Sequence, residues 1–178
     1  MRYLSILLCS VIILAGCKKN VDKPRDESEH EAINSVTITF RSGAAAMDFV
    51  VEDPDGDGGN PPTRMDVIRL NANTTYTTEL TLRNISGTTT RDITQKIKDQ
   101  GHHHELFYLA SGVPLTVSKT DKDKNGLPLG FSTTWTTTAA GTGNVLIKLM
   151  HKPFIKGAND ASTVGHSDVA VTMPVQIQ

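Results

Sequence analysis

Cysteine is nearly missing from this chain of 178 residues, which holds only Cys9 and Cys17, both close to its start. Beyond residue 17 there is no thiol for catalysis, no disulfide framework and no cysteine ligand for a metal. A strong charge of either sign is missing too. Eighteen Lys and Arg against nineteen Asp and Glu leave a formal net charge of −1, which gives no electrostatic reason to expect nucleic acid as a partner. No apolar run reaches the length of a membrane-spanning helix, no repeat period is visible, and no segment is amphipathic over a length suited to a membrane surface. Motifs of the common enzyme classes are also absent: there is no G-x-S-x-G elbow, no Walker loop and no dinucleotide fingerprint.

What the first residues do contain is a lipoprotein signal. Arg2 supplies a positive start, the stretch from Leu4 to Leu14 is apolar but too short to span a bilayer, and Leu14-Ala15-Gly16-Cys17 places small residues before the cysteine that lipidation chemistry requires. Cleavage before Cys17 would put acyl chains on its thiol, each adding about 0.8 kcal/mol per buried methylene, so that two or three chains anchor the protein stably. Removing the first 16 of 178 residues leaves 162 and takes away only Arg2 among the charges, so the net charge becomes −2. That length suits one domain with a core of its own.

The chain then divides into a signal peptide over residues 1–16, a lipidated cysteine and charged tether over 17–33, and a domain over 34–178. Residues 18–31 carry many charges, Pro24 and only Val21 as a sizeable apolar side chain, so burial cannot offset their ordering. Such a tether would span on the order of 20 Å. Lys18 after the cysteine suits sorting to the outer membrane of the cell envelope. The acidic cluster Asp26, Glu27, Glu29 and Glu31 fits surface display and fits a solvated linker equally well, so the face of the membrane stays open.

From residue 34 on, β signals dominate. In residues 35–41 Val36, Ile38 and Phe40 fall on one face and Thr37 and Thr39 on the other, the period of a half-buried strand. Similar runs occur at 47–52, 65–70, 76–84, 105–110, 114–120, 130–137, 144–151 and 168–177. In the last, Val169, Val171, Met173, Val175 and Ile177 all point one way. About nine short strands without alternating helices predict an all-β fold, an antiparallel immunoglobulin-like β-sandwich. One short crossover helix is predicted near residues 91–100, capped by Thr90 or Asp92, with Ile93 and Ile97 on one side and Gly101 at its C′ position.

Three groups carry candidate chemistry. Asp53, Asp55 and Asp57 occupy positions 1, 3 and 5 of a glycine-rich loop, and Asp121, Asp123 and Asn125 repeat that spacing. Three oxygens so placed can curl around calcium, the one cofactor these loops would take. Position 12 holds Arg64 in the first loop and Ser132 in the second, so neither has the bidentate carboxylate of an EF-hand, and both spacings also suit plain hairpin turns. The third group is His102-His103-His104-Glu105. On an extended segment His102 and His104 face one way, and with His151 or His166 alongside they would hold copper or zinc. Gly165-His166-Ser167-Asp168 names the members of a hydrolase triad, but neighbours on an extended chain point to opposite faces and cannot orient one another. Trp135 reads as core, or as a sugar-stacking platform if exposed.

The order of the Leu-Ala-Gly-Cys box, the Asp-Pro-Asp-Gly-Asp-Gly-Gly-Asn loop, Asn73-Thr74-Thr75-Tyr76, the helix running into His104-Glu105-Leu106-Phe107-Tyr108, Asp123-Lys124-Asn125-Gly126 and a valine-alternating last strand resembles a group of small uncharacterised bacterial envelope lipoproteins. The resemblance covers most of the mature chain. Members of that group sometimes carry the label of a type 1 periplasmic binding fold, which means two α/β lobes; this chain has neither the length nor the helices for them. The resemblance implies an envelope location and brings no catalytic residues with it. The expectation is therefore a non-enzymatic binding or structural module, anchored in the membrane through Cys17, with another envelope protein or a glycan as partner and a calcium-stabilised loop at Asp53. The alternative is a periplasmic copper or zinc protein using His102, His104 and His151.

Overall fold

The computed structural model describes residues 32–56 and 59–178. The signal peptide, residues 17–31 of the tether segment with Cys17, and Asp57 lie outside the described residues, whereas Ile33 at the end of that segment is buried in the core.

Two sheets are formed. The first has the order β3-β2-β1-β5-β9-β8, with β1 Ser35–Ser42, β2 Ala45–Glu52, β3 Arg64–Met65, β5 Thr75–Ser86, β8 Leu115–Lys119 and β9 Ser132–Thr137, and with β6 Thr89–Asp92 added on β5. The second has the order β4-β11-β10-β7, with β4 Ile68–Leu70, β7 His104–Ser111, β10 Gly141–His151 and β11 His166–Ile177. All pairings are antiparallel except β4 on β11, which is parallel. The architecture is therefore mostly β and sandwich-like, with eleven strands among the described residues where about nine are expected.

Period-two alternation decides which side chains meet between the sheets. Val36, Ile38 and Phe40 of β1 and Leu80, Leu82 and Trp135 of its neighbours join Leu106, Val145, Ile147, Leu149, Met173, Val175 and Ile177 of the second sheet in one apolar cluster. Edge-on aromatic contacts tie it together. Trp135 lies 4.9 Å from Phe40 in its own sheet and 5.8 Å from Tyr108 across the core, a geometry that favours both rings beyond their burial. Its indole N–H donates to Thr133 Oγ1 at 2.8 Å, so the ring is fully buried without an unmet donor. Trp135 is core, not a platform for sugars.

Three expectations need correction. The run 65–70 is two strands, because Asp66 interrupts it: its backbone N–H and its Oδ2 both bond Val50, and the chain then leaves the first sheet for the second. The pairing is not wholly antiparallel, since β4 arrives alongside β11 after that crossing. The helix is only Thr94–Asp99 (α1), followed by a 3-10 turn at Gly101–His103. Neither Thr90 nor Asp92 is the cap: both lie in β6 and Ile93 occupies the N-cap position without a side-chain cap bond, although Asp92 accepts the Thr94 N–H at 2.9 Å, and Ile93 and Ile97 are buried as the spacing implies. Gly101 is not a left-handed C′ residue. It opens the 3-10 turn where the chain is pressed against Leu129 and Asp123, and a Cβ there would sit 3.2 Å from Leu129 and 3.3 Å from Asp123. Helix and turn carry the chain from β6 in the first sheet to β7 in the second, and so deliver His104 to the end of a buried strand.

Trp135→Ala is expected to lower the unfolding free energy by about 3–5 kcal/mol, the range for deleting a large buried ring. Urea unfolding of the variant checks it, and a loss below about 1 kcal/mol would place the indole outside the core.

Candidate metal centre at the end of the second sheet

β7 and β10 pair so that His104 stands opposite His151 at the end of the ladder. Both follow the parity of the inward residues, His104 that of Leu106 and His151 that of Leu149, so both point to the core side where the apolar contacts run out. They are buried, and their rings stack 4.6 Å apart with planes 12° from parallel. The third member comes from β11 through a bulge. Leu149 pairs with Val169 and Met150 with Ser167, which leaves Asp168 as the inserted residue. A bulge re-aims one side chain. Asp168 Oδ2 approaches His104 Nε2 to 3.3 Å, and one ligand atom from each of His104, His151 and Asp168 lies within 4.8 Å of the others.

The orientation of His104 is fixed from behind. Its Nδ1 lies 3.1 Å from the carbonyl oxygen of Gln100, so Nδ1–H donates to that carbonyl and Nε2 is the nitrogen turned toward Asp168. A ligating histidine ordinarily has its far nitrogen engaged in this way, which holds the tautomer and the ring plane. Two imidazole nitrogens and one carboxylate oxygen are a donor set that suits zinc or copper(II).

Of the histidines singled out in the sequence, the fold brings together His104 and His151 and leaves out His102. The pairing of His102 with His104 presumes an extended segment, but residues 101–103 turn as a 3-10 helix and the alternation is lost. His102 instead lies against His103 at 3.9 Å between ring centres, and His103 lies 5.3 Å from Phe154. His166 is opposite His151 in the ladder but outside the cluster. Asp168 is the member that sequence reasoning misses, because strict alternation turns it away from the face that the bulge gives it.

The aspartate loops are placed differently. Asp55 Oδ2 accepts both the backbone N–H and the side-chain amide of Asn60 at 2.8 Å, closing the first loop on itself. The Asn60 backbone N–H above all holds the exposed Asp55 carboxyl below its ordinary value. In the second loop Asp121 accepts the N–H groups of Gly130 and Phe131, and Asp123 Oδ1 accepts those of Asn125 and Leu127. Asp123 Oδ2 bonds Lys156 Nζ at 2.8 Å. The carboxylates of Asp121 and Asp123 are thus committed to shaping the turn, and Asn125 contributes its backbone to it.

Behind the histidines, on the other face of β7, lies an ion network that no local pattern in the chain announces. Glu105 is buried and bridges Lys119 and Lys152, and Lys152, fully buried, reaches Asp160 at 3.2 Å as well. Both ammonium groups lie over the Phe107 ring, at 3.9 and 4.5 Å from its centre. Burial pushes the Lys119 ammonium down, and Glu105 only partly restores it. The Lys152 backbone N–H donates to the His103 carbonyl at 2.6 Å, which ties the start of β7 to the end of β10 beside His104 and His151. A second pair, Lys156 with Asp123, holds the following loop and also bonds the Gly101 carbonyl.

Burial works to raise the Asp123 carboxyl, but Lys156 and the Leu127 and Asn125 N–H groups outweigh it and hold it below the ordinary 3.8. A folded value below the unfolded one means the carboxylate stabilises the fold at pH values above 3.8, and that contribution fades as acid titrates it. Lys156→Met, which strands Asp123 without its partner, is expected to cost about 3–5 kcal/mol at neutral pH. Urea unfolding across pH tests the sign: the deficit should hold from about pH 5 to 8 and shrink below about pH 4. A deficit that grew in acid would contradict the assignment.

No protein-family model matches the chain, no curated protein does, and no solved structure does, so the reading of this site rests on its own geometry.

Proposed function

We propose that this chain is a lipid-anchored module of the cell envelope, an immunoglobulin-like sandwich in the broad sense, whose task is to hold zinc or copper(II) at His104, His151 and Asp168. The observation that carries this is the meeting of three ligand atoms within 4.8 Å at a buried strand end, with the back of His104 fixed by a carbonyl. Burial supports a ligand role over an incidental surface cluster, because two stacked imidazoles beside a carboxylate are costly to desolvate and a shared cation offsets that cost. The anchor is read from Leu14-Ala15-Gly16-Cys17, and the role is storage or carriage, not catalysis. This is the copper or zinc alternative of the sequence with one ligand exchanged: Asp168 replaces His102.

The purified full-length protein, stripped with a chelator, should bind zinc one to one. At free zinc about a hundred times the dissociation constant, binding to the native state alone adds about 2.7 kcal/mol and raises the melting temperature by several degrees. His104→Ala, His151→Ala and Asp168→Asn should each remove the response, and His102→Ala should keep it. A response lost in His102→Ala and kept in Asp168→Asn would overturn the assignment.

The anchor has its own test. Cys17→Ser removes the acyl acceptor, so the variant should leave the membrane fraction. A variant still cleaved at the same bond and still membrane-bound would sink the lipoprotein reading.

A further inference from the structure

The three members of the cluster are almost closed to water: the side chains of His104 and Asp168 are 5% and 1% exposed, and His151 is buried beside them. An ion that reaches them needs a route. The cavity along β1, β2 and β11 is lined by neither histidine and offers none. A row of imidazoles does lead to the cluster. His102 lies 3.9 Å from His103 between ring centres, His103 lies 6.4 Å from His151, and His151 is stacked at 4.6 Å on His104. Two metal–nitrogen bonds of about 2.1 Å, added to the rings themselves, span the longest of these gaps. At its outer end the row meets solvent, since His102 and His103 are half-buried and line an open cavity of about 390 Å³ with Asn125, Phe154 and Lys156.

We infer that His102 and His103 are an outer station for zinc or copper(II), from which the ion passes across His103 to His151 and settles among the three inner ligands. The inference deepens the metal reading above and rests on it. Position, charge and donor number all support the route. The His103 carbonyl accepts the Lys152 N–H at 2.6 Å, which holds His103 beside the end of β10 and next to His151. Lys156, the lysine in the cavity lining, is answered by Asp123 at 2.8 Å and also donates to the Gly101 carbonyl, so its charge does not bar a cation. Three ligand groups meet at the inner cluster, the only such group among the described residues, whereas the outer station has two imidazoles. An ion is therefore held more weakly outside than inside, and it moves inward down that gradient. Along the row each new ligand is gained before the last is released, so the ion is never buried bare.

Cobalt(II) in place of zinc makes loading visible, since its absorption bands change when protein donors replace water. A station on the route speeds entry and exit by the same factor and leaves the dissociation constant alone, whereas loss of a ligand or of packing weakens affinity. Cobalt is mixed in stopped flow with the chelator-stripped full-length protein. His103→Phe, which keeps a ring without its nitrogens, and His103→Ala should each slow loading by about tenfold or more. Transfer from the loaded variants to excess chelator should slow by the same factor, with equilibrium affinity unchanged. His166→Ala, on the neighbouring strand β11, should load like the unaltered protein. Should the His103 variants not fold, His102→Ala decides, with slower loading at unchanged affinity as the expected result. Unchanged rates, slower loading confined to His166→Ala, or weakened affinity with the loading rate intact would overturn the route and leave the metal site standing. Absence of any change in the cobalt bands with the unaltered protein would overturn the metal reading itself, and this inference with it.

Discussion

The register of β10 between β7 and β11 is the constraint on which the rest depends. On one side it sets His151 opposite His104 without a break. On the other it carries the bulge between Leu149 and Met150 that inserts Asp168. Slide either ladder by one residue and every side chain changes face: the cluster would be dismantled, and Val145, Ile147 and Leu149 would leave the core with it. The apolar residues therefore enforce the site. Their burial fixes a register whose last pair is polar, and the cluster is held by hydrophobic energy that its own members do not supply.

A strand end is usually the loosest part of a sheet, yet here it is buried on both faces. Residues 104–107 alternate as His, Glu, Leu and Phe, and all four are buried. Leu106 and His104 face inward, while Glu105 and Phe107 lie beneath Lys119 and Lys152 on the opposite side. Taken alone, the buried ions are a weak source of net stability, because desolvation consumes much of their attraction. Their consequence is positional. Removing one partner leaves an uncompensated charge, so the network tolerates one arrangement only, and that arrangement includes the Lys152 backbone bond to His103. Rigid backbone beneath ligating side chains is what a metal centre needs for its geometry to be set in advance.

Most strands are legible because period-two alternation marks the inward residues: β5 alternates cleanly, β1 buries Val36, Ile38 and Phe40 but also Ser35 and Thr37 on its other face, and β11 buries Met173, Val175 and Ile177 while Val169 and Val171 are only half-buried. The two-sheet assignment followed from the same signal. What defeated the pattern was side-chain competition for backbone partners. Asp66 takes over the Val50 N–H and splits one apparent strand into two that belong to different sheets. β6 Thr89–Asp92 is fully exposed, so no apolar period marks it, and its pairing to β5 comes from the hairpin alone. At the site, His104 and His151 could be named because histidine advertises metal chemistry wherever it falls. Asp168 could not be, since a bulge depends on the two strands that flank it and leaves no local mark in the chain.

The same argument explains why His102 does not join the cluster. Three adjacent histidines look like a binding motif only if the segment that holds them is extended, and Gly101 decides against that. Its lack of a side chain lets the chain pass close to Leu129 and Asp123, and the resulting 3-10 turn places His102 and His103 on a corner while His104 enters the strand. The cluster thus takes one histidine from the triplet, the one whose backbone is locked into the ladder, and its other two members, His151 and Asp168, come from far along the chain on β10 and β11. Local spacing proposed the element; long-range pairing chose the atoms.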